Sequence, residues 1–236
     1  MLIGECDDRV CDTIGKRLQK CRNNKHMTQE QLVTLLGITQ DYYSKLENDK
    51  LMMSYDILDK LYHIGWDIDY IVTGQETEEK EISLQKTMAS HTEIFENQKS
   101  LRFWLYFMET RIHKGVLSPD DYLYHEVLAL MKIDNLDSPN YLYAIRTTHH
   151  ISQIDMAEKF KMNIKTYMKL EHGKTKPDAG VLLNLYEWNY CRPSFFFDIR
   201  RHMYYILGYL LMEMDDGKGS QGKEVLEHAK KLMELL

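Results

Sequence analysis

The sequence predicts an all-α protein that consists of two related helical bundles, each followed by a helical hairpin. The 236 residues include only 12 Gly and 4 Pro, the two residues that most often interrupt helices. Apolar residues recur with helical spacing behind Ser, Thr and Asp residues that favour helix starts. Shifting the chain by 124 residues also aligns two blocks without a gap. These observations divide the chain into a tail at 1–13, a first bundle at 14–74, a linker at 75–137, a second bundle at 138–198 and a hairpin at 199–236.

The first bundle opens with two amphipathic helices. Their predicted buried faces are apolar residues at helical spacing: Ile14, Leu18 and Cys21 in the first helix, and Leu32, Leu35 and Leu36 in the second. Thr28 and Gln31 form a capping box, which predicts that the second helix starts there. Gly37 is predicted to end it.

Three further helices complete the first bundle. The predicted helix starts are Thr39 for a third helix that runs through Asn48, Ser54 for a fourth and Asp67 for a short fifth. The predicted inward side chains are Tyr43 and Leu46 in the third helix, and Leu58, Leu61 and Ile64 in the fourth. A turn of only about three residues joins the second and third helices, which sets them at a steep angle and points the third outward. This pattern is a helix-turn-helix.

The second bundle repeats the first at the constant shift of 124 residues. Core and charged positions match together: Leu18 with Leu142, Arg22 with Arg146, Gln29 with Gln153, Tyr43 with Tyr167, Glu47 with Glu171 and Lys50 with Lys174. We interpret this match as a duplicated domain. We call residues 14–74 the first head and residues 138–198 the second head.

The linker and the tail are both predicted to form helical hairpins. Residues 84–113 and the stretch after Ser118-Pro119-Asp120 supply two helices, and residues 197–214 and 223–236 supply two more. A lone hairpin buries too little apolar surface and must pack on something, so a homodimer through the hairpins is one expectation. An unidentified effector bound between the hairpins is another.

Composition excludes several classes of protein. The longest apolar run, residues 203–212, is about half of the roughly 20 residues that span a bilayer, so we expect no membrane contact. The N-terminus carries acid where a signal peptide needs base, which predicts a cytoplasmic protein. The 4 Cys lack paired spacing, and no catalytic motif occurs. We therefore expect no metal, no other cofactor and no enzymatic activity.

Several strings resemble one family. Thr28-Gln-Glu-Gln-Leu, Leu36-Gly-Ile-Thr-Gln, Ser44-Lys-Leu-Glu-Asn and Asp69-Tyr-Ile-Val-Thr-Gly resemble the Xre or lambda-repressor-like helix-turn-helix family. Ser152-Gln, Met156-Ala, Lys169-Leu-Glu-His-Gly-Lys and Pro177-Asp in the second head resemble the same family. Lys161 there replaces the turn Gly, and Ile164 replaces the usual polar base-reading residue. The resemblance implies two five-helix bundles of the DNA-binding type.

The resemblance also implies which side chains touch double-stranded DNA. The third helix would enter the major groove, so the implied base-reading residues are Gln40, Asp41 and Lys45 in the first head, and Lys165, Thr166 and Lys169 in the second. Gln can bond adenine, Lys guanine and Asp the amino group of cytosine. The implied phosphate contacts are Gln29, Asn48 and Lys50 in the first head, and Gln153, Lys174 and Lys176 in the second.

Two charged pairs recur at identical separations, Arg22 with Glu47 and Arg146 with Glu171. Family resemblance implies that each is an intramolecular ion pair that ties the first helix to the end of the third. Elsewhere the heads differ in charge. Glu30, Asp41 and Asp49 make the first head locally acidic, whereas residues 159–176 of the second carry six lysines against Glu171 alone.

The sequence therefore predicts a sequence-specific DNA-binding transcriptional regulator, with the first head reading bases and the second adding phosphate contacts. Basic residues of the first helix, Lys16, Arg17, Lys20 and Lys25, would offset the acid of the first head if they point at DNA. In the alternative interpretation, one or both heads bind protein or mediate dimerisation, with Asp41 and Asp49 excluding DNA. The sequence leaves the operator, the effector and the sign of regulation open.

Overall fold

The structure, a computed structural model, describes residues 12–76, 103, 106, 107, 110, 122–133, 141–199, 202, 203 and 206. Helices and the turns between them account for the secondary structure of this part of the chain, with no strand in it. The described residues divide into two compact units. The first unit contains residues 12–76 and 176–197, and the second contains the described residues from 103 to 175 and from 198 to 206.

The first unit begins with five helices: α1 Ile14–Asn24, α2 Gln29–Leu36, α3 Gln40–Glu47, α4 Tyr55–His63 and α5 Ile68–Thr73. Side chains of Thr13, Thr28, Thr39 and Asp67 each accept a hydrogen bond from a backbone N–H of the first turn. These caps satisfy donors that have no partner inside the helix, and they fix the helix starts. Asn48 is the C-cap of α3, so this helix ends one residue before the predicted limit.

The core of the first head follows most of the predicted apolar stripes. Leu18, Leu32, Tyr43, Leu58 and Leu61 are completely buried. Two predicted core residues are exposed instead, Leu35 by 53% and Ile64 by 37%. Leu35 lies on the outer side of α2, and Ile64 follows the last residue of α4 as its C-cap.

The first unit also contains a segment from far along the chain. Helix α6, Ala179–Asn189, and a 3-10 helix at Pro193–Phe196 pack against α5. Ala179 and Leu182 belong to the same apolar cluster as Leu18 and Leu61. The structure thus differs from the predicted division, which placed residues 176–197 in a domain spanning 138–198, because these side chains complete the core of the first unit.

Polar contacts hold this segment in place. The hydroxyl of Tyr55 donates to the Phe196 carbonyl at 2.8 Å. Asp69, which is 7% exposed, accepts from the backbone N–H of Ser194 at 2.8 Å and from its hydroxyl at 2.7 Å. Burial raises the pKa of the Asp69 carboxyl, and these hydrogen bonds oppose part of that shift.

The second unit contains four helices in the described residues: α7 Tyr122–Leu130, α8 Tyr141–Thr148, α9 Gln153–Lys159 and α10 Ile164–Glu171. Helix α7 packs against α8, and α9 packs against α10. Met156, Ala157, Phe160 and Tyr167 form part of the buried interior. Glu126, which is completely buried, lies 3.1 Å from Nε2 of His202 and accepts from the hydroxyl of Tyr141.

Backbone geometry repeats between the units at the shift of 124 residues. Helices α3 and α10 have equivalent bounds, 40–47 and 164–171. Left-handed residues also recur as three pairs: His26 with His150, Gly37 with Lys161 and Asp49 with Gly173. Because side-chain-bearing residues seldom adopt this conformation, three coincidences are strong evidence of similar local folding.

The predicted hairpin helices at 84–113, after 118–120, at 197–214 and at 223–236 lie largely or wholly outside the described residues. Of these predictions, residues 122–130 form a continuous helix in the described part of the chain. Within the described ranges, none of the helices has the length and apolar character needed to cross a bilayer.

Candidate nucleic-acid interface

The turn between α2 and α3 presents α3 on the surface of the first unit. Gly37 ends α2 in the left-handed conformation with φ of 66°, and Thr39 caps α3 two residues later. Tyr43 and Leu46 point into the core. The predicted base-reading residues Gln40, Asp41 and Lys45 are therefore left exposed on the outer side. The predicted phosphate residues Asn48 and Lys50 are exposed just beyond the helix.

A buried carboxylate fixes α3 from behind. Glu47 is 2% exposed and accepts from Nε of Arg22 at 2.7 Å and from the hydroxyl of Tyr43 at 2.7 Å. Arg22 also donates to the carbonyl of Met27 at 2.8 Å. The hydrogen bond to Glu47 raises the pKa of Arg22. Since Arg22 lies on α1 and Met27 precedes α2, this ion pair connects all three helices.

A chain of amide contacts extends from this ion pair to the surface. Gln29 donates to Oε2 of Glu47 at 2.5 Å, and its own amide oxygen accepts from Nε2 of Gln40 at 2.6 Å. The structure thus brings Gln29, which is predicted to contact phosphate, into contact with Gln40, which is predicted to read bases. The Gln40 amide is held in one orientation, which leaves its oxygen and its second N–H for a ligand.

The two other predicted base-reading residues of α3 bind each other. Nζ of Lys45 lies 2.6 Å from Oδ2 of Asp41 one turn earlier, and both side chains are exposed. This spacing is typical of an ion pair on a helix surface. The positive charge of Lys45 is therefore partly neutralised before any nucleic acid approaches.

Asp49 does not act as a free acid beside α3. Its carboxylate accepts from the backbone N–H of Gly15 at 2.8 Å and from the hydroxyl of Thr13. It therefore faces the N-terminus of α1, where the helix dipole favours negative charge. A Cβ on Gly15 would lie 2.5 Å from the Leu46 carbonyl oxygen, so only glycine allows α1 to approach the end of α3 this closely.

One of the basic residues of α1 does not contribute to this surface. Arg17 is 6% exposed, and it donates to the carbonyls of Ile71 at 2.8 Å and Val72 at 2.7 Å. Burial lowers its pKa. Lys20 lies 5.1 Å above the ring of Tyr70. Arg17 therefore does not meet the condition that it points at DNA, because this side chain ties α1 to α5.

The second unit repeats the Arg–Glu ion pair and the Gln–Glu contact of the first head. Nη2 of Arg146 lies 2.6 Å from Oε1 of Glu171, which is 2% exposed. Arg146 also donates to the Ile151 carbonyl at 2.8 Å, and Gln153 donates to Glu171 at 3.1 Å. Burial, with Glu171 beside it, raises the pKa of Tyr167. Every one of these positions corresponds to a residue of the Arg22–Glu47 cluster.

The predicted contact residues of the second head are less uniform. Lys165, Lys169 and Lys174 are exposed, and none of them forms an ion pair with a residue that the structure describes. The hydroxyl of Thr166 donates to Oδ1 of Asn163 at 3.1 Å, within the cap of α10. Lys176 lies in the first unit, 3.1 Å from Asp56.

Sequence reasoning identified Ile164 at a base-reading position of α10 but missed Met168 beside it. Met168 is 38% exposed, and Ile164 is half-buried. They lie one helical turn apart, at the positions where α3 has Ser44 and Gln40. The signal was available in the sequence as an apolar pair next to Lys165 and Lys169.

Comparison with known proteins supports the helix-turn-helix prediction for part of the chain. Residues 15–75 match the family of helix-turn-helix domains. Over 61 residues, the chain is 38% identical to an SPbeta prophage-derived uncharacterized HTH-type transcriptional regulator, YonR, of Bacillus subtilis (strain 168). The match covers 25% of this chain and 56% of that regulator, so the chain spans about half the length of this curated relative. No solved structure matches the chain significantly. Residues 15–75 are therefore a helix-turn-helix domain.

Proposed function

We propose that the chain is a sequence-specific DNA-binding transcriptional regulator that reads the major groove with α3 of the first head. The observation that carries this proposal is an exposed α3 whose orientation is fixed by the buried Arg22–Glu47 pair. A helix that reads bases must keep its position while its outer side chains change partners. In this proposal the protein acts in the cytoplasm by occupying DNA, without catalysis.

Gln40 is the proposed principal base-reading residue. Its contact with Gln29 orients the amide, and an oriented amide can form the two hydrogen bonds that distinguish adenine. Gln29, Asn48 and Lys50 are proposed to contact phosphates, which fix the register of the helix without reading sequence. The relative's name as a transcriptional regulator and the match over residues 15–75 support the same function.

We further propose that the second head is a diverged copy that adds phosphate contacts. The repeated helix bounds, the three left-handed pairs and the Arg146–Glu171 cluster support the duplication. Lys165, Lys169 and Lys174 are exposed cations, which suits them to phosphate binding. The proposed DNA contact of Lys176 would require its exposed ion pair with Asp56 to open.

Base selection by the full chain from random duplexes, at several salt concentrations, tests this function. Gln40→Ala should relax the preference at one base position and leave the salt dependence intact. Lys50→Ala should weaken all sequences alike and reduce the magnitude of the log–log salt slope by about 1. If Gln40→Ala leaves every base preference unchanged, α3 does not read DNA.

In the rival function, a head binds protein or mediates dimerisation. The Asp41–Lys45 ion pair favours this function because the pair lowers the positive charge of α3. Retention on random duplex DNA at low salt separates the two functions. A protein-binding head should not be retained, and substitutions in α3 should change the oligomeric mass instead. The hairpins remain the proposed site of a homodimer or an effector.

A further inference from the structure

Helix α10 carries a partly exposed apolar pair beside two cations. Ile164 and Met168 lie one turn apart on a flank of the helix, between the buried side at Tyr167 and the exposed side at Lys165 and Lys169. Met168 is 38% exposed, although a surface helix normally places polar side chains at such positions. In α3 the equivalent positions are polar, so the apolar pair is a property of the second head.

The neighbouring polar groups are already engaged or are better suited to the DNA backbone. The Thr166 hydroxyl donates to the α10 cap, and Glu171 is buried against Arg146. Lys165 and Lys169 can neutralise phosphates. The remaining side chains that could face base edges are Ile164 and Met168, and neither can form a hydrogen bond that distinguishes bases.

One apolar group is available to them in the major groove, the C5-methyl group of thymine. We propose that Ile164 and Met168 read thymine methyl groups, which makes the second head selective for A·T base pairs. This inference rests on the proposed function, because it requires that α10 occupy a major groove. The lysines beside the pair make nucleic acid the ligand that matches the charge of this face.

A methyl-deletion experiment on the DNA tests this proposal. The full chain first selects its preferred duplex from a random pool. Binding is then measured to that duplex with thymine and to the same duplex with deoxyuridine, which lacks only the methyl group. Removal of each contacted methyl should weaken wild-type binding by about fourfold, the equivalent of one buried CH₂ group.

Variants assign the methyl contact to its side chains. The double variant Ile164→Ala with Met168→Ala should bind the two duplexes with a ratio closer to one than wild type does. Ile154→Ala is the matched control, since Ile154 is a 61% exposed isoleucine on α9 and not on α10. This control should keep the wild-type ratio. Ile164→Gln, which copies Gln40, should shift the preferred base from thymine toward adenine.

The outcomes separate this inference from the proposed function. If no duplex is selected, the proposed function fails and the methyl contact fails with it. If a duplex is selected but the double variant and Ile164→Gln keep the wild-type ratio and base preference, the methyl contact alone is overturned. The same conclusion follows if these substitutions alter oligomeric mass without changing the ratio, because the face would then bind protein.

Discussion

Replacing Glu47 by alanine should destabilise the first unit by about 3–5 kcal/mol, the range observed when one partner of a buried ion pair is removed. Glu47 is 2% exposed and is the common acceptor for Arg22, Tyr43 and Gln29, at 2.5 to 2.7 Å. Each buried donor that loses its partner costs about 1–3 kcal/mol. Gln29 is half-buried and can recover a bond to water. Arg22 keeps its hydrogen bond to the Met27 carbonyl. The bonds that Gln29 and Arg22 keep or recover hold the summed cost of the lost donors within about 3–5 kcal/mol.

Urea unfolding of the full chain measures this loss, and hydrogen exchange in peptides from residues 14–50 assigns it to the first unit. Asp41→Ala is the matched control, because it removes an exposed carboxylate from the same helix and should cost less than about 1 kcal/mol. The double variant Arg22→Met with Glu47→Leu should lose less than Glu47→Ala, since no buried charge is left unpaired. A loss below about 0.5 kcal/mol for Glu47→Ala would refute the reasoning that a buried carboxylate fixes α3.

Three further results follow from the structure. Asp41→Asn should release Lys45 from its ion pair and strengthen binding to random duplex DNA. Fluorescence anisotropy at low salt measures this binding, and weaker binding would show that Asp41 itself contacts a base. Burial raises the pKa of Asp69, so the stability that its protonation contributes is complete below the unfolded pKa and is lost as pH rises through the folded pKa. Urea titrations at a series of pH values should show this decline in the wild type and not in Asp69→Asn. An unchanged pH profile in the variant would contradict the assignment. Lys161→Gly should raise the stability of the second unit by up to about 1 kcal/mol, because Lys161 has φ of 53°. Gly37→Ala at the equivalent position should lower the stability of the first unit, and thermal unfolding measures both changes. A destabilised Lys161→Gly would show that the contacts of the lysine side chain outweigh the backbone strain.

The helix starts of the first head could be predicted from the sequence because their causes are local. Thr28, Thr39 and Asp67 each accept a hydrogen bond from the backbone N–H three residues later, and such contacts depend on the neighbouring sequence alone. Burial was less predictable at the ends of the stripes. Leu35 and Ile64 fit the helical spacing but lie at the edge of a stripe or after the helix, where a neighbouring element is needed to cover them.

The contacts that the sequence could not supply join residues far apart in the chain. Apolar spacing predicts that Ala179 and Leu182 need a partner, but it does not identify the first head as that partner. The acceptor role of Asp49 likewise depends on Gly15, 34 residues earlier. At the candidate interface, the resemblance identified Gln40 and Gln29 separately. The structure shows that Gln29 accepts a hydrogen bond from Gln40 and so orients its amide.

The discontinuous first unit sets the order in which the protein can fold during synthesis. Its core needs Ala179 and Leu182, so the ribosome must add roughly another 120 residues after residue 77 before the unit is complete. At about 5–20 residues per second, this interval lasts roughly 6–24 s, during which the N-terminal head has no α6 against α5. A product released in that interval would carry the intact α3 surface on an unfinished core. The first unit therefore gains its complete core only after the second half has been translated.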